Sequence, residues 1–483
     1  MTPDPGILLG YDQSESPPKP IRVTREFLTE GHMHVRGRTR SGKTSRALLP
    51  LALQLMEPYS ENGTLKRDPI CIFDLGGDQA LFYFVKQAAE RLGRRFRFMS
   101  LHTGDAWDSF DPFQAVPAGE RNVMRLTTLL IEAFNLDNGL VYGGQYFTAQ
   151  NLAALLSVVR KLSTEEGRRL TLQDVALYLE REARSKKIRD ADQIRMTFNF
   201  LLEYPQLLVD DKTDTDRCID MARALEKGDV IYFFTPTLSE MTTARQIAGL
   251  GLYNLINAAM QRSRQGKPLA RVWTFIDEFH ELTGRSFEAL LAQSAKFGVS
   301  LILANQTTSQ LESKDSSLHQ IVFDNAHIKL YFTVTCQRDI EDLQGLSEEH
   351  LRWLPGSSAK EYSTTVNEHT VEVPRLSKND ILNISATEGH GFLVIDDGKG
   401  HREPYHAEVP YHIDSKDLYR EARSTPLPRR PDIINPDRAD ATMLRAAVKS
   451  ALLQAPDPVR RQLMMELLAK KRQAEEVTKA DGP

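Results

Sequence analysis

Eight consecutive residues, Gly37-Arg38-Thr39-Arg40-Ser41-Gly42-Lys43-Thr44, follow the pattern G-x-x-x-x-G-K-T. Residues at this spacing capture phosphate. Gly37 and Gly42 let backbone N–H groups curl round an anion with Ser41 inside the cradle, Lys43 reaches the β- and γ-phosphate oxygens, and the Thr44 hydroxyl ligates Mg²⁺. A helix starting here adds its positive N-terminal end. Hydrolysis needs acid delivered from a second strand, and Val272-Trp273-Thr274-Phe275-Ile276-Asp277-Glu278 has that form. Asp277 would hold the metal through its shell and Glu278 would polarise the attacking water. Gln306 ends the next apolar strand, so its amide can touch the γ-phosphate or the water if the two strands run parallel and adjacent.

Other clusters carry weaker chemistry. Asp74-Leu75-Gly76-Gly77-Asp78 reads equally as a close approach to a ligand or as a plain Asp/Gly turn. His32 and His34 share a strand face without a third ligand at metal spacing, so structural histidines are expected. Six basic residues between Arg181 and Arg195 could meet nucleic-acid phosphate, but Glu182, Asp190 and Asp192 dilute their field, and a solvated helix face is expected.

The elements that must position these residues follow from periodicity. Strand character at His32–Arg36, Ile70–Phe73 and Phe96–Ser100, with helices between, predicts a parallel sheet. Long helical patterns then fill 117–226; Leu152, Leu155, Leu156 and Val159 fall at i, i+3, i+4 and i+7. Strands return at 230–234, 272–276, 299–304, 328–333 and 392–395, so the sheet is expected to be built from both sides of a helical insertion. The divisions read as an N-terminal arm over 1–20, a nucleotide-binding domain in two parts over 21–116 and 227–423, the all-helical insertion over 117–226, and a proline-rich linker with a helical arm over 424–483.

Composition narrows the class. The chain has 483 residues, 41% hydrophobic and 26% charged, with a net charge of -4. That excludes disordered and fibrous classes and implies two or three folded units. No global basic field advertises nucleic acid, although a local channel remains compatible with the balance. Three scattered cysteines suit a reducing compartment, and no signal peptide or membrane-length apolar run is present. A cytoplasmic protein is expected.

With these motifs in place, the sequence resembles the TraG/TraD-type coupling ATPases of conjugative type IV secretion, within the FtsK–HerA group of hexameric DNA motors. The resemblance is carried by GRTRSGKT, FDLGGD (Phe73–Asp78), SFDPF (Ser109–Phe113), QYFTAQNLAALL (Gln145–Leu156), FIDEFHEL (Phe275–Leu282), AKFGVSLILANQTTSQL (Ala295–Leu311) and DNAHIKLYF (Asp324–Phe332), in the family's order. It implies an α/β P-loop NTPase with a RecA/FtsK-like core, ATP and Mg²⁺ as cofactors, DNA as partner and a homo-hexameric ring. It also implies Lys43 and Thr44 on ATP·Mg²⁺, Asp277 and Glu278 as the acids, Gln306 as sensor, and an arginine completing a neighbour's site, for which Arg338 is the candidate. Two departures stand out. Leu75-Gly76 replaces the family's Pro-Lys, and the N-terminal transmembrane pair is missing, so docking at the inner membrane is expected through a membrane-anchoring partner, alongside relaxase or secretion-channel proteins. The rival expectations are a HerA-like cytosolic DNA-processing or defence motor and a nucleotide-switched protein-substrate adaptor.

Overall fold

The computed structural model describes residues 6–429, apart from 115–121, 135, 137–143, 164–169, 185–191, 210–212, 214, 284, 312–317, 348, 361–362, 397–403 and 412–415. The linker and helical arm expected over 424–483 lie, from residue 430 on, outside the described residues, as do Lys186, Lys187 and Arg189 of the basic run.

Among the described residues seventeen strands are formed: β1 (Ile7–Asp12), β2 (Lys19–Val23), β3 (His32–Arg36), β4 (Tyr59–Glu61), β5 (Thr64–Lys66), β6 (Ile70–Asp74), β7 (Phe96–Ser100), β8 (Ser109–Phe110), β9 (Cys218–Ile219), β10 (Val230–Phe234), β11 (Val272–Asp277), β12 (Val299–Asn305), β13 (Ala326–Phe332), β14 (Glu349–Lys360), β15 (Ser363–Pro374), β16 (His390–Ile395) and β17 (Tyr405–Glu408). Eleven of them join one sheet in the order β2-β1-β17-β16-β13-β3-β12-β11-β6-β10-β7. From β13 to β7 every pairing is parallel. The remaining four strands are added antiparallel. Every residue of β3, β6, β10, β11 and β12 is buried, as expected of strands covered by helices on both faces.

Side chains alternate between two cores. Ile72, Phe275, Ile302 and Val35 face the helices Leu49–Met56 and Gln79–Arg91. Phe73, Ile276, Leu301 and Leu303 face the other way, in one continuous core with Leu155, Leu179 and Phe198 of the helical segment. That segment contains the helices Val123–Ala133, Gly144–Leu162, Leu172–Arg184 and Asp192–Leu201. Its two ends are clamped together where β8 pairs with β9 in parallel. Thr171 and Asp174 exchange hydrogen bonds at the start of Leu172–Arg184, the reciprocal cap that their spacing predicts.

Residues 7–23 differ from the expected linker arm. The Ser/Pro-rich stretch is the turn of a hairpin, and β1 on one side of it pairs with β17 nearly four hundred residues later. Gln13 Nε2 donates to Glu408 Oε2 at 3.0 Å across this seam. Arg195, within the basic run, pairs with Glu180 and Asp192, in keeping with a solvated face.

Candidate nucleotide site

The loop of residues 37–44 leaves β3, a central strand of the parallel sheet, and enters a helical turn of the wide, i→i+5 type over Lys43–Leu48. Arg40 and Gly42 take the left-handed backbone conformation, at φ 67° and 99°. A Cβ on Gly37 would come within 2.5 Å of Ser41 Oγ and 2.8 Å of the Phe332 carbonyl, so the loop closes this tightly only with glycine there. Ser41 Oγ is buried and has no hydrogen-bond partner among the described residues. Lys43 curls back, and its Nζ donates to the Gly37 carbonyl at 2.7 Å.

Asp277 and Glu278 arrive at the same edge because β11 and β12 are parallel neighbours, with β12 lying between β11 and β3. Thr44 Oγ1 lies 3.4 Å from Asp277 Oδ2, and Lys43 Nζ lies 3.9 Å from Glu278 Oε1. Gln306 bridges the two motifs: its Nε2 donates to Glu278 Oε1 at 3.2 Å, and its Oε1 accepts from Thr39 Oγ1 at 3.1 Å. Glu278 sits at φ 54°, ψ 45°. A non-glycine residue in this region is strained, and such strain collects where a side chain must be aimed. Lys43, Thr44, Asp277, Glu278 and Gln306 therefore converge.

Electrostatics single out Asp277. Burial, then the nearby Asp74 and Glu278 carboxylates, push its carboxyl up to about 8, with Lys43 opposing. Asp74 is its register partner on β6 and is raised to about 7, mainly by burial. Asp74 also resolves the open reading of its motif. Its oxygens accept from the Gly77 and Asp78 backbone N–H groups at 2.6 and 2.9 Å and from the Tyr232 hydroxyl at 2.7 Å, which makes it a turn-builder. Asp78 in turn caps the helix Gln79–Arg91. His32 and His34 are buried and hydrogen-bonded, to the Leu291 carbonyl and Asn305.

Arg338 does not join this cluster within the chain. It lies half-exposed on the helix Gln337–Leu346, 3.8 Å from Glu341 and 3.7 Å from Asp342.

Three contributors escaped the motif reading. Arg36, the last residue of β3, donates to Thr308, Asp339 and Asp342 at 2.9, 2.9 and 3.0 Å, tying the loop's root to the Arg338 helix. His280 and Gln310 lie beside Glu278 and Gln306. The first could be read only as a strand-end arginine, and the other two lie 30 residues apart in sequence.

Residues 152–346 match the family model of the type IV secretion-system coupling protein DNA-binding domain. The resemblance to coupling proteins is borne out. The matched span runs from the helical segment through β11 and β12 to the Arg338 helix, so it contains Asp277, Glu278 and Gln306. Among solved structures, the bacterial conjugative coupling protein TrwB in complex with sulphate aligns at 14% identity and a TM-score of 0.56, covering 81% of this chain and 88% of that one. TrwB in complex with ADP and Mg²⁺ gives 14% and 0.55, with 81% and 88% covered. VirB4 of Thermoanaerobacter pseudethanolicus gives 13% and 0.51, with 84% and 96% covered. At these identities the likeness shows the shared fold, a P-loop NTPase core. No curated protein matches the sequence.

Proposed function

We propose that this chain is an ATP-driven motor that moves DNA, the coupling ATPase of a conjugative type IV secretion channel, working as a homo-hexamer. The observation that carries the reading is the convergence of Lys43, Thr44, Asp277, Glu278 and Gln306 at one edge of the parallel sheet in a chain whose 152–346 match the coupling-protein DNA-binding domain.

The residues present fit ATP·Mg²⁺. Ser41 Oγ is an orphaned polar atom inside the loop, and the Asp277 carboxyl, raised by burial and then by the neighbouring Asp74 and Glu278 carboxylates, is what a divalent cation would relieve. Among the described residues no three His, Cys, Asp or Glu side chains converge on a metal. Thr44 and Asp277 would therefore be the protein's own contribution, phosphate and water completing the shell. Bound Mg²⁺ neutralises charge on the phosphates as it develops.

Lys43 exchanges the Gly37 carbonyl for phosphate oxygens. Glu278, aimed by its strained backbone, takes the proton of the attacking water. Gln306, in contact with both Thr39 and Glu278, registers whether the γ-phosphate is present. Arg338 of a neighbouring subunit would complete the site. No helix among the described residues is long and apolar enough to cross a membrane.

The test is Mg²⁺-dependent ATPase over a DNA titration, with mass measured alongside. Lys43→Ala should abolish nucleotide binding, while Glu278→Gln should keep binding and lose at least about 100-fold in turnover. DNA should raise the rate and promote ring assembly, with binding that weakens steeply with salt. A rate and a monomeric mass that do not respond to DNA would replace the motor with a nucleotide-switched adaptor.

A further inference from the structure

His280 follows Glu278 by two residues in a short 3-10 turn, Phe279–Leu282, held by the burial of Phe279 and by Thr283 Oγ1 donating to the His280 carbonyl. This turn places His280 Nδ1 3.4 Å from Glu278 Oε2. Neither atom has a formed hydrogen bond among the described residues, and both are buried. The other Glu278 oxygen is already held by Gln306.

Which nitrogen of His280 carries the proton follows from Gln310. The Gln310 amide oxygen accepts from the Gln306 and Thr307 backbone N–H groups at 2.9 and 3.1 Å, which fixes the amide's orientation. Its Nε2 must then be the atom 3.1 Å from His280 Nε2, and an amide nitrogen can only donate. His280 Nε2 is therefore the acceptor, and in the neutral ring the proton sits on Nδ1, facing Glu278. Glu281 Oε1 lies farther from His280 Nε2, at 3.5 Å, and its carboxylate is engaged by Arg245 Nε at 2.7 Å.

We propose that His280 and Gln310 are positioning residues for Glu278: Gln310, anchored on the sensor segment after β12, sets the His280 tautomer, and His280 Nδ1–H holds the second Glu278 oxygen so that the carboxylate faces the attacking water. This rests on reading Glu278 as the general base. The chain Gln306 backbone, Gln310, His280, Glu278 runs parallel to the direct Gln306–Glu278 bond, so the sensor segment grips the carboxylate at both oxygens. At 3.4 Å the Nδ1 contact is longer than a formed hydrogen bond, and contacts of this kind tighten when substrate closes the site.

Two measurements test it. In steady-state kinetics, His280→Phe keeps the ring's bulk and removes the donor. Turnover should fall about tenfold or more while the KM for ATP stays within about twofold, in line with losses at groups that orient a primary ligand or base. His280→Asn, whose amide nitrogen falls near the Nδ1 position, should recover most of that loss. Near-normal turnover in His280→Phe, or equal loss in both variants, overturns the proposal. The second measurement needs no altered fold: ¹⁵N-histidine NMR of the wild-type protein, with the His280 resonance identified by its absence in His280→Asn, should show the Nδ1–H tautomer. An Nε2–H tautomer overturns it. Glu278→Gln, assayed in parallel, separates the two readings: if that variant turns over normally, the base assignment fails whatever His280 does.

Discussion

A carboxyl group buried beside other carboxylates keeps its proton unless something cationic arrives. Asp277 and Asp74, raised to about 8 and about 7 from an ordinary 3.8, are in that position. Because both folded-state values lie above those of the unfolded chain, the stability they contribute is full below about pH 4 and is lost as pH rises through 7 and 8. The nucleotide-free protein should therefore lose melting temperature between about pH 4 and about pH 8, and Asp277→Asn should lose less over the same range. Since Mg²⁺ favours the ionised form, the rise in melting temperature given by Mg·ATP should grow with pH in the wild type. A wild-type profile matching that of Asp277→Asn would show that Asp277 is already ionised without the metal. Most of this residue set was legible before the fold was known. The loop, the acids and Gln306 each occupy one contiguous stretch whose local pattern carries the chemistry. The strained backbone of Glu278 and the His280–Gln310 pairing were not legible, because the first is a conformation and the second joins two loops 30 residues apart.

At the scale of elements, the helix Gln337–Leu346 is held to the end of β3 by one buried guanidinium. Arg36 pairs with Asp339 and Asp342, and its ring neighbour Tyr331 lies 5.0 Å away. Replacing it with methionine leaves the buried Asp339 carboxylate without its cation, while Asp342 keeps His319 at 3.2 Å and Arg338 at 3.7 Å, a loss of about 3–5 kcal/mol measured by denaturant unfolding. A loss under about 1 kcal/mol would mean that the acids find other partners. The same helix presents Arg338 outward. If Arg338 acts in a neighbour's site, Arg338→Ala should lower turnover far more than ATP affinity, and mixing it with Lys43→Ala protein should restore some activity at interfaces that pair an intact loop with an intact arginine. Near-normal ATPase in Arg338→Ala rings would send the search to another arginine. Most strands of the parallel core could be read from apolar runs, since β6, β10, β11 and β12 are buried on both faces. The antiparallel end could not: the short run Ile7–Asp12 of β1 says nothing of its partner β17, which is set by contacts hundreds of residues away.

For the whole molecule, strand order matters more than strand count. The loop-bearing β3 lies between β12 and β13, and the acid-bearing β11 reaches β3 only through β12. A fragment ending near residue 260 contains the complete G-x-x-x-x-G-K-T pattern yet lacks both neighbours of β3. Such a fragment should bind nucleotide at least about 100-fold more weakly than the whole chain, as read by fluorescent-nucleotide titration, and tight binding would mean the loop is formed locally. The interleaved order also has a consequence for the chain as it is made. About 300 residues separate the end of β3 from the end of β13, which at about 5–20 residues per second is roughly 15–60 s of synthesis. Until β12 is made, near the end of that interval, β3, whose apolar residues are Met33 and Val35, waits with both edges unpaired, a template for any other nascent strand. A ribosome stalled within the helical segment would thus hold an unfinished sheet, and this protein's yield in a cell should depend on holdase chaperones more steeply than its finished stability implies.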